Sequence, residues 1–129
     1  MTNKIIAIQG NNPKELNQIT DTSIFLAKEA QNIKYKIFYY EPKNLSIIND
    51  IVTAKGFFIK FNYTNKKFFK ILKFQKLKLL NCKFILIRQD PPFNLEYITT
   101  TYILDKIKNK VKIINNPTSL RNISEKLYS

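Results

Sequence analysis

Three observations predict an α/β domain with a mainly parallel central sheet flanked by helices. Phe84-Ile85-Leu86-Ile87 and Ile5-Ile6-Ala7-Ile8 are apolar runs without polar alternation, the pattern of strands buried on both faces in a sheet that helices cover. These runs alternate along the chain with stretches of helical spacing, the order that produces parallel crossovers. Finally, 129 residues with 44% hydrophobic and 24% charged content suffice for one domain with its own core and argue against wholesale disorder.

In order, residues 4–9 form the first strand, and Gly10-Asn11-Asn12-Pro13 turns the chain out of it. That turn is not G-x-G-x-x-G, and no such fingerprint occurs elsewhere, which argues against a nicotinamide or flavin enzyme. A helix starts near Asp21-Thr22, both good N-cap residues, places Leu26, Ala30 and Ile33 on one buried face, and ends near Asn32. Residues 35–41 make a second strand, closed by Pro42 and parallel to the first through a right-handed crossover. Residues 45–48 and 56–63 look extended and read as an antiparallel excursion. The second of them puts Phe57, Ile59, Phe61 and Tyr63 on one face and Phe58, Lys60 and Asn62 on the other.

Helical spacing returns over 66–79, where Phe68, Leu72 and Leu79 form a stripe and the surrounding lysines, from Lys66 to Lys78, a solvated face. After the central strand at 84–87, Leu95, Ile98 and Tyr102, with Ile103 and Ile107 on an adjoining line, predict a helix over 96–108. A short buried strand follows at 111–114. Asn116-Pro117 caps a last helix, with proline at the favoured first position. That helix is still running at Leu127, as expected of a piece of something longer. The parallel strands are thus 5–8, 36–40, 84–87 and 111–114.

Composition bounds the chemistry. With no histidine and one cysteine, His-dependent triads, imidazole shuttles and His- or thiolate-ligated metals are excluded. The nine acidic residues are dispersed, so neither a catalytic residue nor a metal ligand is assigned within the chain. Cys82 cannot make an internal disulfide and reads as a small packed hydrophobe, which favours a reducing cytoplasm. No segment approaches the ~20 apolar residues of a membrane helix, and no signal peptide is recognisable, so a soluble cytoplasmic protein is expected.

The net charge of +13 raises nucleic acid or an anionic surface as a partner. Heavy use of Lys, Ile, Asn, Phe and Tyr with only two glycines is the composition of an AT-rich genome, so part of that charge is codon bias. Residues 57–80 interleave aromatics with lysines as a base-stacking groove would. The same aromatics fall on strand and helix stripes that usually form core, so nucleic acid is not the expected partner.

Arg88 is the candidate site residue. It stands where the apolar run 84–87 ends, and Asp90-Pro91-Pro92 forces the chain out of the sheet just beyond it. In open α/β sheets ligands bind beside the carboxyl ends of strands. A guanidinium there offers a planar fork for a carboxylate or phosphate; the alternative is a structural arginine tied to a loop carbonyl or to Asp90.

Several stretches resemble one family, the prokaryotic glutathione synthetases, which are ATP-grasp ligases. Arg88-Gln89-Asp90-Pro91-Pro92-Phe93 is similar to the family's Arg-Lys-Asp-Pro-Pro-Phe, and Thr101-Tyr102-Ile103-Leu104 to its Thr-Tyr-Ile-Leu. Asn115-Asn116-Pro117-Thr118-Ser119-Leu120-Arg121 and Glu125-Lys126-Leu127 resemble its Asn-x-Pro-x-Ser-Leu-Arg and Glu-Lys-Leu. Asp21-Thr22-Ser23 and residues 35–41 also align, so the likeness runs along nearly the whole chain in one order.

The resemblance implies that residues 1–122 are the N-terminal, Rossmann-like domain that precedes the ATP-grasp domains, with 123–129 starting the connection to them. It implies a complete enzyme that joins γ-glutamylcysteine to glycine through an acyl phosphate, using ATP and Mg2+. The ATP-grasp part would be supplied in cis or as a split partner, in a homo-oligomer. Arg88 matches the family's γ-glutamylcysteine-binding arginine, and Lys126 a lysine at the edge of the nucleotide site. Asn12-Pro13 lacks the acidic residue that usually precedes that proline. Two other readings compete: a basic α/β nucleic-acid-binding module, and a non-catalytic regulatory relic that keeps the fold.

Overall fold

Every residue of β1 (Ile5–Gly10) is buried, so the strand needs a covering layer on each face. The computed structural model describes residues 4–12, 22–61, 69–88 and 95–114. From β1 the chain passes to α1 (Thr22–Asn32), β2 (Lys36–Tyr40), a 3-10 turn (Pro42–Asn44), β3 (Leu45–Ile48) and β4 (Ile51–Phe61). It continues through β5 (Phe69–Lys78), a second 3-10 turn (Leu79–Asn81), β6 (Phe84–Arg88), α2 (Leu95–Leu104) and β7 (Lys112–Ile114). The helix expected from Asn116-Pro117 onward, and residues 123–129 with Lys126, lie outside the described residues.

The strands form one sheet in the order β3-β4-β2-β1-β6-β7, with β5 paired to β4. β2, β1, β6 and β7 run parallel, as their four apolar runs predict. β4 runs antiparallel to β2, β3 and β5. The sheet is therefore mixed, not mainly parallel. The reason is local: Asn49 and Asp50 join β3 to β4 with φ of 53° and 64°, the mirror-image two-residue turn that links antiparallel neighbours. β4 then passes back along β2.

Two cores lie on opposite faces of the sheet. Ile6, Ile8, Ile37, Tyr39 and Leu86 pack under Ile24, Ala27 and Ala30 of α1. Ile5, Ala7, Phe38, Tyr40 and Ile85 pack under Leu104 and Ile107. α1 uses the face its spacing predicts, with Leu26 and Ala30 buried and Ile33 packed against them. It stops where expected because Lys34 takes φ 71° while Tyr35 N–H donates to the Ala30 carbonyl at 3.0 Å and Lys34 N–H to the Gln31 carbonyl at 3.0 Å, a Schellman ending.

Two further expectations fail. Residues 69–78 are a strand rather than part of a helix, and Lys66, Lys67 and Phe68 lie outside the described residues. The register slips between the Phe57–Phe74 and Ile59–Ile71 pairs, where Leu72 and Lys73 oppose one residue of β4. This bulge moves the α1-side positions from odd numbers (Phe69, Ile71) to even ones (Phe74, Lys76), which breaks the two-residue period that would have announced a strand. The second failure is in α2, which ends at Leu104 and turns its Leu95-Ile98-Tyr102 stripe outward while Thr100 and Leu104 face the sheet. No helix among the described residues is long and apolar enough to cross a membrane.

Gly56 lets β4 lie against β2. A Cβ built there would sit 2.2 Å from the Tyr39 carbonyl oxygen and 2.9 Å from Tyr40 Cβ, and neither neighbour is a flexible tip. Gly56→Ala is expected to cost about 3 kcal/mol, the upper part of the overpacking range. Asp50→Gly removes the cost of an L-residue at positive φ and is expected to stabilise by roughly 0.5–1 kcal/mol. Urea unfolding of the two variants checks both.

Candidate functional site

β1 is the strand at which the sheet reverses its order of growth. The chain leaves β1 for β2 on one side, while β6 and then β7 lie on the other. In sheets of this kind the crevice at the carboxyl ends of the two strands flanking the reversal is the natural ligand position. Here those strands are β1 and β6, and their last residues, Gly10 and Arg88, are register partners.

Strand alternation puts Gly10 and Arg88 on the α1 side of the sheet, in line with Ile8 and Leu86. A Cβ on Gly10 would lie 2.5 Å from the Tyr39 hydroxyl and 2.9 Å from the Arg88 carbonyl oxygen, so the missing side chain is what lets these groups converge. The Tyr39 hydroxyl donates to the Asn11 carbonyl and ties the exit of β1 to β2. Arg88 is half-buried at the end of β6. Its backbone is fixed by pairing with β1, as its place after the apolar run predicts. Gln89 and Asp90-Pro91-Pro92 lie outside the described residues, as does Lys126.

On the α2 side the crest is held by Gln9, which is fully buried. Its Oε1 accepts from the Tyr40 hydroxyl at 3.0 Å, and its Nε2 donates to Thr100 Oγ1 at 3.1 Å. One amide thereby links β1, β2 and α2. Sequence reasoning placed Gln9 only as the last residue of a strand; the available signal was a polar residue closing an apolar run, followed much later by three threonines, Thr99 to Thr101.

Two buried titratable groups of the α2-side core, Cys82 and Tyr40, stay neutral. Burial pushes the Cys82 thiol from 9.0 up to about 12. Burial, and then the proximity of Cys82, raises the Tyr40 hydroxyl well above its ordinary value. Neither serves as nucleophile or base near neutral pH. Among the described residues no three Cys, Asp or Glu side chains come together as a metal site requires. The described residues of the crest thus include a cationic guanidinium at Arg88 and a hydrogen-bonded amide at Gln9.

The sequence matches the family model for the prokaryotic glutathione synthetase N-terminal domain over residues 5–121. It is similar to the glutathione synthetase of Wigglesworthia glossinidia brevipalpis, at 39% identity over 108 residues, which cover 83% of this chain and 34% of that protein. With the Salmonella typhimurium enzyme identity is 36% over 115 residues, 88% of this chain and 36% of the relative. With that of Brucella melitensis biotype 1 it is 32% over 123 residues, 95% and 39% respectively. The chain thus spans well under half the length of the curated relatives it matches.

Gln9→Leu takes the acceptor from the buried Tyr40 hydroxyl, and a buried unsatisfied group costs about 1–3 kcal/mol. The expected loss of about 1–3 kcal/mol is read by denaturant unfolding. Linkage supplies a second outcome. The fold raises the Cys82 pKa, so its stabilising contribution is complete below about pH 9.0 and is lost as pH rises toward about 12. Melting temperatures followed upward from neutral pH should begin to fall near pH 9, with a shallower fall in Cys82→Ala.

Proposed function

The chain belongs to the prokaryotic glutathione synthetase N-terminal domain family, and from that premise we propose that it is the substrate-side domain of a glutathione synthetase. The complete enzyme would ligate γ-glutamylcysteine to glycine at the expense of ATP. The observation that carries the reading is the place of Arg88, at the β1–β6 reversal and opposite a glycine that has no room for a side chain. A half-buried guanidinium with a fixed backbone suits a substrate carboxylate, which it would grip through two parallel hydrogen bonds.

In this proposal residues 1–122 are a Rossmann-like, pre-ATP-grasp domain, and 123–129 lead toward the ATP-grasp part, in cis or as a split partner. Lys126 stands at the edge of the nucleotide site, where an ammonium offsets phosphate charge. When bound, ATP with Mg2+ supplies the activation of the donor carboxylate. The described residues do not form a site for that metal; the domain's own part is to bind and orient γ-glutamylcysteine. The assembled enzyme is read as a cytoplasmic homo-oligomer.

The test uses a complete enzyme containing this domain. A charge-assisted hydrogen bond is worth about 1.5–3 kcal/mol, so Arg88→Ala should lower kcat/KM for γ-glutamylcysteine by roughly one to two orders of magnitude. Arg88→Lys keeps the charge but loses the fork and should fall between. The KM for ATP and the melting temperature should change little. A lowered melting temperature with equal losses toward every substrate would make Arg88 scaffold instead. The 129-residue chain by itself is expected to release no ADP in the presence of both substrates.

A further inference from the structure

β4 and β5 together carry six lysines and no carboxylate. Two pairs of these lysines stand directly opposite one another, Lys55 with Lys76 and Lys60 with Lys70. Like charges at opposed positions of an antiparallel pair destabilise it. Next to Lys55 and Lys76 on the same face are Phe57 and Phe74, with ring centroids 5.3 Å apart. Phe57 in turn stacks on Tyr39 at 5.7 Å. The row of three rings ends at Phe74, which is 71% exposed.

A groove of about 460 Å3 is lined by the Lys55–Lys76 pair and the Phe57–Phe74 pair, with Asn44 and Glu41 at its side. One carboxylate faces two lysines there. The bland account is that lysines guard an exposed sheet edge against pairing with another chain. It covers Lys70, Lys73, Lys76 and Lys78 on β5, but not Lys55, which lies in β4 with β5 paired outside it. Nor does it explain an exposed phenyl ring, since a guarded edge presents charge.

We infer that this groove binds an unpaired nucleobase together with its phosphate: the base lies on Phe74, the last ring of the row, and the phosphate sits between Lys55 and Lys76. Opposed residues place their Cβ atoms about 4.5–5.5 Å apart, close enough for both ammonium groups to reach one phosphate. Stacking on a π-face tolerates any base, and the amide of Asn44 at the groove is a group available to read its edge. The ligand is a single-stranded nucleic acid or a free nucleotide, which share this chemistry. The inference does not depend on the ligase reading.

The experiment is fluorescence anisotropy of a short labelled oligouridylate with the full chain, at low and at physiological salt. Phe74→Ala is expected to weaken binding about tenfold at both salts, the effect of losing one stacked base, while Phe74→Trp retains it. The double variant Lys55→Ser/Lys76→Ser should weaken binding and make log affinity against log salt shallower by about 0.7, one phosphate contact. Lys108→Ser/Lys112→Ser, of the same net charge but remote from the groove, should leave affinity within about twofold. Competition by uridine monophosphate decides the source: displacement assigns the site to free nucleotides, and its absence to a strand. Absence of binding at low salt, an unchanged affinity in Phe74→Ala, or equal losses in the two lysine double variants would overturn the inference. Thermal unfolding of each variant shows that the fold is kept, and Phe74→Trp keeps the test valid should the alanine variant unfold.

Discussion

Burial of β1 on both faces is the constraint from which the rest of this domain follows. A strand with no exposed residue leaves its main-chain groups only sheet neighbours as partners, so β2 and β6 must flank it. Its side chains demand an apolar layer above and below, which α1 and α2 supply on opposite faces. Polar chemistry is thereby pushed to the strand ends. There Gln9 meets the problem of being buried by engaging two hydroxyls, and Gly10 lets the Tyr39 hydroxyl and the backbone of Arg88 approach.

The antiparallel half of the sheet obeys a different constraint, the close passage of β4 along β2. Gly56 removes the side chain that would strike the Tyr39 carbonyl, and stacked aromatics then fill both faces of the contact, Tyr39 on Phe57 and Phe38 edge-on to Phe58. Ser46 and Thr53 join their hydroxyls across β3 and β4 at 3.1 Å, so the two polar groups in this pair satisfy one another. β5 is attached to this framework along one edge, and the bulge opposite Phe58 swivels its side chains by one position. The result is a hairpin whose outer strand is rich in lysine and exposes Ile71, Leu72 and Phe74.

Two cationic features therefore differ in kind. Arg88 is a single half-buried guanidinium fixed by a parallel ladder at the reversal of the sheet, which gives it a defined direction and suits a small carboxylate. The lysines of β4 and β5 are exposed, and two pairs of them stand opposite one another in register, which suits a phosphate beside a planar ring. Cys82 and Tyr40, buried in the α2-side core with their protons held, supply no charge to either.

By itself the sequence determined the α/β class, the four parallel strands, the buried face and ending of α1, and the position of Arg88 at a strand end. Each of these rests on short-range pattern: unbroken apolar runs, helical spacing over a few turns, and a proline pair that stops a strand. The family likeness was carried by the same local stretches. Tertiary structure decided what local pattern does not contain. Residues 69–78 became a strand because pairing with β4 outweighed a helical spacing, and the bulge hid the alternation that would have revealed it. α2 turned Thr100 inward because Gln9, 91 positions away, needed a partner. Phe74 stayed exposed because β5 lies at the edge of the sheet. In each case the deciding contact joins residues distant along the chain, and its energy depends on a register that exists only once the sheet has closed.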